Sequence, residues 1–514
     1  MKRSPARISQ LLFLLTFLLL FLQTEYRGLD EINAAVNAFF RADPLVLFSY
    51  LLAAKSWTWL LFPALLMTVA TLLLGRFFCG WVCPLGTILD LLSPKKRQAG
   101  RLSFLGGRLK YWLLLPLLSA SLFNLNLSGL LDPIAILLRG LTFFIQPLLG
   151  LSARSGWVEL YHLVGEGRDT VAPLWNLLHS HLLPFRETLY PLALFSMVLL
   201  LAISLLERLE TRGWCRYLCP LGTLLGWLGR FSPFKRTPAG LCADCGQCRD
   251  LCSMTFDQGV LDKEQCTHCL DCEKGCPHGR ILFKPTLDAW QVPGPMLPER
   301  RLLLGWMASG LLLAIPARFR SPEAAPTLLR PPGVRDEKEF LEKCVRCGEC
   351  MKVCLKNALY PAAWQSGYIG LYTPLVIPRL GYCEYNCTLC GQVCPTGAIP
   401  NLPVAAKRRE VIGKAVFVKG HCLPFAKKMD CIVCEEHCPI PGKAIRSREV
   451  TVRNDAGKMV VVKEPYVVED ICNGCGICEY VCPVETRAGI RVYAVKNRAP
   501  ISGDIQRSEP SLPY

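Results

Sequence analysis

Closely spaced cysteines constrain this chain more than any other feature of its 514 residues. The chain has 28 cysteines, and 24 of them fall into six runs of four. Four runs have the spacing Cys-x2-Cys-x2-Cys-x3-Cys, and in the other two only the first interval is wider. In chain order the runs are Cys242, Cys245, Cys248 and Cys252; Cys266, Cys269, Cys272 and Cys276; Cys344, Cys347, Cys350 and Cys354; Cys383, Cys387, Cys390 and Cys394; Cys422, Cys431, Cys434 and Cys438; and Cys472, Cys475, Cys478 and Cys482.

This spacing favours metal ligation over a disulfide scaffold. Disulfide scaffolds are typically short secreted domains with a small core, and this chain is neither short nor poor in apolar residues. Structural zinc sites use two separated pairs of ligands, whereas these runs contain triplets followed by a fourth cysteine. Runs of this kind ligate [4Fe–4S] clusters in bacterial ferredoxins. The sequence therefore predicts six [4Fe–4S] clusters.

The runs also predict how the ligands are shared. In two-cluster ferredoxins the fourth cysteine of each run serves the other cluster, because three close cysteines wrap one cluster in a tight loop. We therefore expect Cys252 to join the second run's triplet and Cys276 to join the first run's triplet. The third run is expected to pair with the fourth, and the fifth with the sixth. The wider first intervals make Cys383 and Cys422 the least constrained ligands.

The sequence of the first half of the chain indicates a membrane protein. Hydrophobic residues make up 51% of the chain and charged residues only 19%. Four apolar runs approach the length of a transmembrane helix, and basic residues flank their cytoplasmic ends. These runs are Ile8–Gln23, Trp57–Gly75, Tyr111–Leu131 and Leu189–Leu206. No small-residue cleavage site follows Gln23, which predicts a retained anchor. The stretch 133–151, interrupted by Arg139, is expected to be an interfacial or re-entrant helix.

A fifth crossing is expected after Arg300 and Arg301, where a short apolar stretch follows a twin arginine. The predicted organisation is a membrane domain over 1–240, a two-cluster module over 241–285, an anchor helix over 300–318 and a four-cluster domain over 335–495. The expected fold is thus a multidomain one. An α-helical membrane domain of four or five transmembrane helices is combined with α+β bacterial ferredoxin-like 4Fe–4S modules.

The four remaining cysteines lie in an internal repeat. Gly75–Thr87 contains Cys79-x3-Cys83-Pro, and Gly213–Thr223 contains Cys215-x3-Cys219-Pro. Both copies follow a predicted span at its cytoplasmic end. The pattern leaves two functional interpretations open, a further metal centre or a set of redox thiols, besides the alternative of buried free cysteines.

The formal net charge of +17 does not indicate a nucleic-acid partner. The basic residues lie mainly beside apolar spans, where they orient the chain in the membrane. Thiolate-ligated clusters also carry negative charge that the formal count leaves out. No nucleic-acid partner is expected.

The cysteine motifs resemble two known families. Residues 1–285 resemble NapH-type membrane ferredoxins, which have two Cys-x3-Cys-Pro motifs before two cluster-binding runs. From about residue 300 the chain resembles NapG/MauM-type polyferredoxins, through the twin arginine, Arg330-Pro331-Pro332-Gly333, Phe340–Cys344 and the four later runs. The chain thus looks like a fusion of the two.

The resemblance implies a role in anaerobic respiration. Such a protein would be a multi-pass protein of the inner (plasma) membrane, with its C-terminal cluster domain in the periplasm. It would act as a quinol dehydrogenase-like electron-transfer component, passing electrons from the membrane quinone pool to a periplasmic oxidoreductase or cytochrome. The alternative is an iron–sulfur membrane protein for regulation or maturation of a respiratory oxidoreductase. The sequence assigns no catalytic residues.

Overall fold

The computed structural model describes most of the chain. The described residues are 5–28, 30–32, 34–93, 109–164, 172–173, 175–176, 183, 188–238, 245, 248, 251–254, 265–285, 305, 308–312, 328–453, 457–495 and 501. The chain divides into two compact units. The first comprises Met1–Thr24, Asn33–Phe319 and Leu341–Cys347, and the second comprises Glu25–Ile32, Arg320–Phe340 and Gly348–Tyr514.

The first unit is mainly helical. Its helices are α1 Pro5–Gln23, α2 Asn37–Arg41, α3 Pro44–Ala54, α4 Phe62–Leu74, α5 Phe77–Trp81, α6 Pro84–Leu92, α7 Leu109–Leu122, α8 Pro133–Gly140, α9 Gln146–Val164, α10 Ala193–Leu209, α11 Gly213–Tyr217, α12 Pro220–Gly229 and α13 Asp271–Lys274. Two antiparallel strands, β1 Phe234–Pro238 and β2 Ile281–Pro285, flank the described part of the two-cluster segment. The buried core contains both copies of the repeat, since Cys79, Cys83 and Cys219 belong to it.

Several expected spans are helical but shorter than a full crossing. Only two helices have the length and apolar composition to cross a membrane, among those described: Pro5–Gln23 and a continuous helix over Pro133–Leu163. The helix α4 ends because Gly75 adopts a φ of +73°, and α7 ends just before Asn124 with a φ of +69°. The number of four or five crossings stays a prediction.

The stretch 133–151 is helical, and its interfacial or re-entrant position in the membrane stays a prediction. It forms part of one helix that continues through a π-helical turn, Leu141–Ile145, into α9. Arg139 does not interrupt this helix, because its guanidinium is buried and donates to the carbonyl oxygens of Leu130 and Arg346. The predicted anchor over 300–318 lies largely outside the described residues.

The second unit consists of short helices and two-stranded sheets. Its strands are β3 Leu359–Pro361, β4 Pro374–Val376, β5 Lys414–Phe417, β6 Ile445–Arg453, β7 Met459–Val467 and β8 Ile490–Tyr493. They pair antiparallel as β3 with β4, β5 with β8 and β6 with β7. Helices α14 Glu337–Lys343, α15 Glu349–Lys352, α16 Leu389–Gln392, α17 Val404–Arg409, α18 Leu423–Ala426, α19 Val433–Glu436 and α20 Ile477–Tyr480 complete the described order. Four of these helices, α15, α16, α19 and α20, are single turns that carry the third cysteine of a run.

Candidate iron–sulfur sites

Three cavities in the second unit are each lined by four cysteines from two paired runs. The empty space within them, open solvent included, is about 400, 300 and 330 Å³. The cysteine sets are Cys354, Cys383, Cys387 and Cys390; Cys438, Cys472, Cys475 and Cys478; and Cys422, Cys431, Cys434 and Cys482. In each set the fourth cysteine of one run joins the first three of its partner run. This is the sharing that two-cluster ferredoxins use.

Backbone amides point at the fourth cysteine of several runs. The amide of Ala358 lies 3.2 Å from Cys354 Sγ, and that of Gly489 lies 3.2 Å from Cys482 Sγ. Hydrogen bonds of this kind stabilise the charged form of a thiol, as metal ligation requires. The loops after the fourth cysteines are therefore shaped to receive thiolates.

Burial makes the neutral form more favourable for several of the thiols in these cavities. Burial, assisted by the neighbouring thiols, raises the pKa of Cys434 to about 12. Burial has the same effect on Cys387 and Cys475, and the pKa of each rises to about 12. Thiols crowded in this way lose their protons only when a positive centre arrives to bind them. The donor set of four cysteine thiols in each cavity fits a [4Fe–4S] cluster.

A buried lysine lies beside the Cys383 loop. Lys407 is 3% exposed, and its ammonium donates to the backbone carbonyls of Glu384 and Tyr385. Burial alone would lower the pKa of Lys407, but the thiols of Cys383 and its neighbours raise it overall. Lys407 is therefore a fixed positive charge beside the Cys383 loop.

An arginine clamps the last cysteine run. The guanidinium of Arg379 donates to the carbonyl oxygens of Glu479, Cys482, Val484 and Glu485 over 2.7 to 3.2 Å. Four bonds from one side chain fix the path of the loop that ends at Cys482.

The remaining C-terminal cysteines are also protected from solvent. Cys344, Cys347 and Cys350 are 7 to 8% exposed. Cys394 is half-buried, and the amide of Ile399 lies 3.4 Å from its sulfur.

The Cys344–Cys347 segment belongs to the first unit and packs beyond the end of α7. Asn124 donates to the Glu342 side chain over 2.7 Å, and Asn126 donates to the Glu342 carbonyl over 3.4 Å. A Cβ at Gly129 would lie only 1.7 Å from the carbonyl oxygen of Val345, so the backbones meet directly there.

The two-cluster segment is described in part. Cys242 lies outside the described residues, Cys245 is exposed, and Cys248 is half-buried with its sulfur 3.6 Å from Arg236 Nη2. Charge interactions link Cys252 to the triplet of the second run. That triplet is Cys266, Cys269 and Cys272. The fourth cysteine of the second run, Cys276, accepts from the Arg280 amide over 3.4 Å.

The Cys266–Cys269 loop is anchored on the first copy of the repeat. Trp81 Nε1 donates to the carbonyl oxygen of His268 over 2.9 Å, and His268 Nδ1 lies 2.6 Å from the Leu74 carbonyl oxygen. Gly75 makes room for this contact, because a Cβ there would lie 2.2 Å from the His268 ring.

The repeat cysteines Cys79, Cys83, Cys215 and Cys219 come together within the first unit. Charge interactions connect Cys79 and Cys215 with each other and with the other two thiols. No group of three or more His, Cys, Asp or Glu residues forms a site for a single metal ion within the described ranges.

Sequence reasoning did not single out the cations beside these sites. They are Arg76, Arg212, Arg379 and Lys407. For the first two a signal exists, since both stand three residues before the first cysteine of their repeat copy. For Arg379 and Lys407 the spacing carries no comparable signal.

Three family models match four parts of the chain. A 4Fe–4S binding domain matches residues 56–101 and 189–238, a 4Fe–4S dicluster domain matches 343–398, and another 4Fe–4S binding domain matches 465–487. These matches confirm iron–sulfur binding and multiple 4Fe–4S modules. The individual ligands and the number of clusters stay predictions.

Curated relatives match at high coverage of their own length. The chain is 37% identical to the methylamine utilization ferredoxin-type protein MauM of Methylophilus methylotrophus, over 33% of this chain and 73% of the relative. It is 34% identical to the ferredoxin-type protein NapG of Escherichia coli, over 36% of this chain and 78% of the relative. It is also 30% identical to the protein named "Putative electron transport protein YccM" of Escherichia coli. That match covers 48% of this chain and 60% of the relative. No solved structure matches. With its 4Fe–4S modules and these relatives, the chain belongs to the MauM/NapG family of ferredoxin-type proteins and is an iron–sulfur electron-transfer protein of that type.

Proposed function

We propose that this chain takes electrons from membrane quinol and passes them to a periplasmic redox partner. On this proposal it holds six [4Fe–4S] clusters in the six cysteine runs, and its N-terminal half is a NapH-like membrane module fused to the MauM/NapG-like part. The YccM match is compatible with such a module.

The chain's own residues prepare the cluster sites. A bound cluster supplies one-electron transfer. The thiols of each cavity would hold it, backbone amides such as that of Gly489 would stabilise the thiolates, and burial would exclude water. Arg379 fixes the path of the loop that ends at Cys482, and the Lys407 ammonium places a positive charge beside the Cys383 loop.

One observation supports electron transfer across the membrane. Two loops that are predicted to bind clusters contact opposite ends of the same helix bundle. The Cys266–Cys269 loop packs at Leu74, the last residue of α4. Asn124 contacts Glu342, and it also accepts a bond from Lys55, just before α4 begins. The helical stretch Trp59–Leu74 between these ends is about 24 Å long, close to a hydrocarbon layer of about 30 Å.

An apolar outer surface supports the membrane location. Leucines along the outer face of α1 are about 60% exposed, and those along α10 are 52 to 66% exposed. They are Leu12, Leu15 and Leu19 on α1, and Leu194, Leu201 and Leu205 on α10. Apolar surface on this scale is expected where lipid replaces water.

The test is quinol-driven reduction of the full-length protein in liposomes under anaerobic conditions. We expect added quinol to bleach the visible absorbance of the clusters and to produce reduced-cluster EPR signals. Dithionite serves as the control for total reducible clusters. If dithionite reduces the clusters and quinols of low and high potential do not, the quinol step is wrong while the cluster assignment stands.

A further inference from the structure

The four repeat cysteines, here called the membrane-edge quartet (Cys79, Cys83, Cys215 and Cys219), lie outside the six ferredoxin-type runs. Two arginines tie the two copies of the repeat together. Arg76 Nη2 donates to the carbonyl oxygen of Cys215 over 2.9 Å. Arg212 Nη1 donates to the carbonyl oxygen of Cys79 over 3.2 Å. Each arginine thus reaches from its own copy to the first cysteine of the other copy, which holds the two motifs in a pseudo-symmetric pair.

Three of the four sulfurs accept hydrogen bonds. Arg76 Nε lies 3.4 Å from Cys79 Sγ. The amides of Gly86 and Gly222 lie 3.4 and 3.3 Å from the sulfurs of Cys83 and Cys219. Cys83 and Cys219 also stand at the N-caps of α6 and α12. Amide donors at a helix start favour the thiolate over the thiol.

The charge balance of the site requires an anion. Arg212 is neutralised by Asp90, with Nε and Oδ1 2.8 Å apart. Arg76 is only 4% exposed and has no carboxylate partner in the described part of the chain. Its charge interactions are with the thiols of Cys79, Cys215 and Cys219. A buried, unpaired cation is costly, so a negative centre at these thiols would complete the site.

This requirement separates the two interpretations that the sequence leaves open. A disulfide is neutral and would leave Arg76 without a counter-charge, whereas four thiolates around a metal centre keep a net negative charge. The 4Fe–4S binding domain model matches residues 56–101 and 189–238, and the quartet supplies all the cysteines in those two stretches.

We propose that the membrane-edge quartet binds a seventh iron–sulfur cluster, with Arg76 as its buried counter-cation. Gly222 would serve this arrangement, because a Cβ there would lie 2.2 Å from Arg76 Nη2. The site is connected to the predicted cluster of the Cys266–Cys269 loop. Trp81, two residues after Cys79, donates to the backbone of His268, and Arg212 interacts with the thiols of both Cys215 and Cys269. The seventh cluster would extend the proposed electron path into the helical domain, and it can be absent while the other six clusters remain.

The test measures metal content and cluster mass in the full-length protein purified anaerobically. The decisive variant replaces all four quartet cysteines by serine. Native mass spectrometry should show the loss of one cluster, and iron should fall from about 28 to about 24 atoms per chain, by the rule of four iron atoms per cluster. Cys434→Ser, which is predicted to remove one cluster from another site, gives the signal of a single-cluster loss for comparison.

Arg76→Met and Arg76→Lys test the role of charge. The methionine variant should shift the EPR or potentiometric signal of one cluster or lose that cluster, and the lysine variant should restore it. These variants also decide the matter if the quadruple variant does not fold. A wild-type chain with about 24 iron atoms, or a folded quadruple variant with unchanged iron, would overturn the seventh cluster. The seventh cluster would also be overturned if the wild-type chain held one zinc or copper ion, or a Cys79–Cys215 disulfide, that is absent from the quadruple variant. A wild-type chain without iron would instead overturn the proposed function itself.

Discussion

Lys407 offers a test of how this fold sets cluster potentials. Lys407 is 3% exposed, and its ammonium interacts electrostatically with the thiols of Cys383, Cys387 and Cys390. A positive charge stabilises the reduced, more negative form of a cluster and therefore raises its reduction potential. For two unit charges assumed to lie about 7 to 8 Å apart at an effective dielectric constant of about 20, Coulomb's law gives about 2 kcal/mol. This corresponds to about 90 mV for a one-electron couple.

We therefore expect Lys407→Gln to lower the potential of one cluster by about 50 to 100 mV, with desolvation and relaxation accounting for the range. Lys407→Arg should leave the reduction potential of that cluster almost unchanged, because the arginine keeps the positive charge. The matched control is Arg408→Gln, which removes an equal charge from the next residue, where the guanidinium bonds Asn386 in an exposed position. Solvent screening there should limit the shift to about 20 mV.

The assay is a potentiometric titration followed by EPR on anaerobically purified protein, with iron content measured first. A Lys407→Gln protein with full iron and no shift beyond that of Arg408→Gln would refute the electrostatic reasoning. A protein that has lost about four iron atoms would mean that Lys407 holds the loop rather than tunes it.

Three further predictions concern single positions. Arg379→Ala should lose one cluster faster in air than the wild-type protein, because four hydrogen bonds to the Cys482 loop disappear. The control Arg487→Ala, at an exposed position, should not accelerate cluster loss. Visible absorbance followed over time measures the loss in both variants. Cys434→Ser should reduce iron by about four atoms per chain, and unchanged iron would contradict its role as a ligand. Gly75→Ala should destabilise the first unit by about 1–3 kcal/mol, because φ is +73° and the Cβ meets His268. Thermal unfolding of the detergent-solubilised protein measures this effect, and an unchanged midpoint would contradict it.

Cysteine spacing predicted the class of this protein because cluster ligation is encoded locally. The tight triplets and the fourth cysteine indicate both the cofactor and the paired runs, and the cavity lined by Cys354 and the Cys383 triplet has the shared arrangement. Even the irregular run behaves in this way, since Cys422 lines a cavity with Cys431 and Cys434 despite the long gap between them.

The positions of the arginines and the lysine beside the cluster sites could not be predicted from local spacing, because their partners are distant along the chain. Arg76 contacts a residue 139 positions away, and Arg379 contacts carbonyls at least 100 positions away. Arg139 likewise has a hydrogen-bond partner that is distant along the chain. In the sequence it looks like an interruption of an apolar run, but distant carbonyl groups satisfy its guanidinium and the helix continues.

The side of the C-terminal domain is the remaining prediction on which the mechanism depends. The basic residues Lys95, Lys96 and Arg97 assign the end of the bundle near the repeat to the cytoplasm. Asn124 and Glu342 meet at the other end, so the Cys344–Cys347 segment is expected outside. This argument does not depend on how many crossings the helix Pro133–Leu163 contributes. We expect alkaline phosphatase fused after Tyr514 to be active and green fluorescent protein at the same position to be dark. A fusion after Ser93 should give the opposite pattern. A fluorescent Tyr514 fusion with inactive phosphatase would refute the assignment, and all six predicted clusters would then lie on the cytoplasmic side.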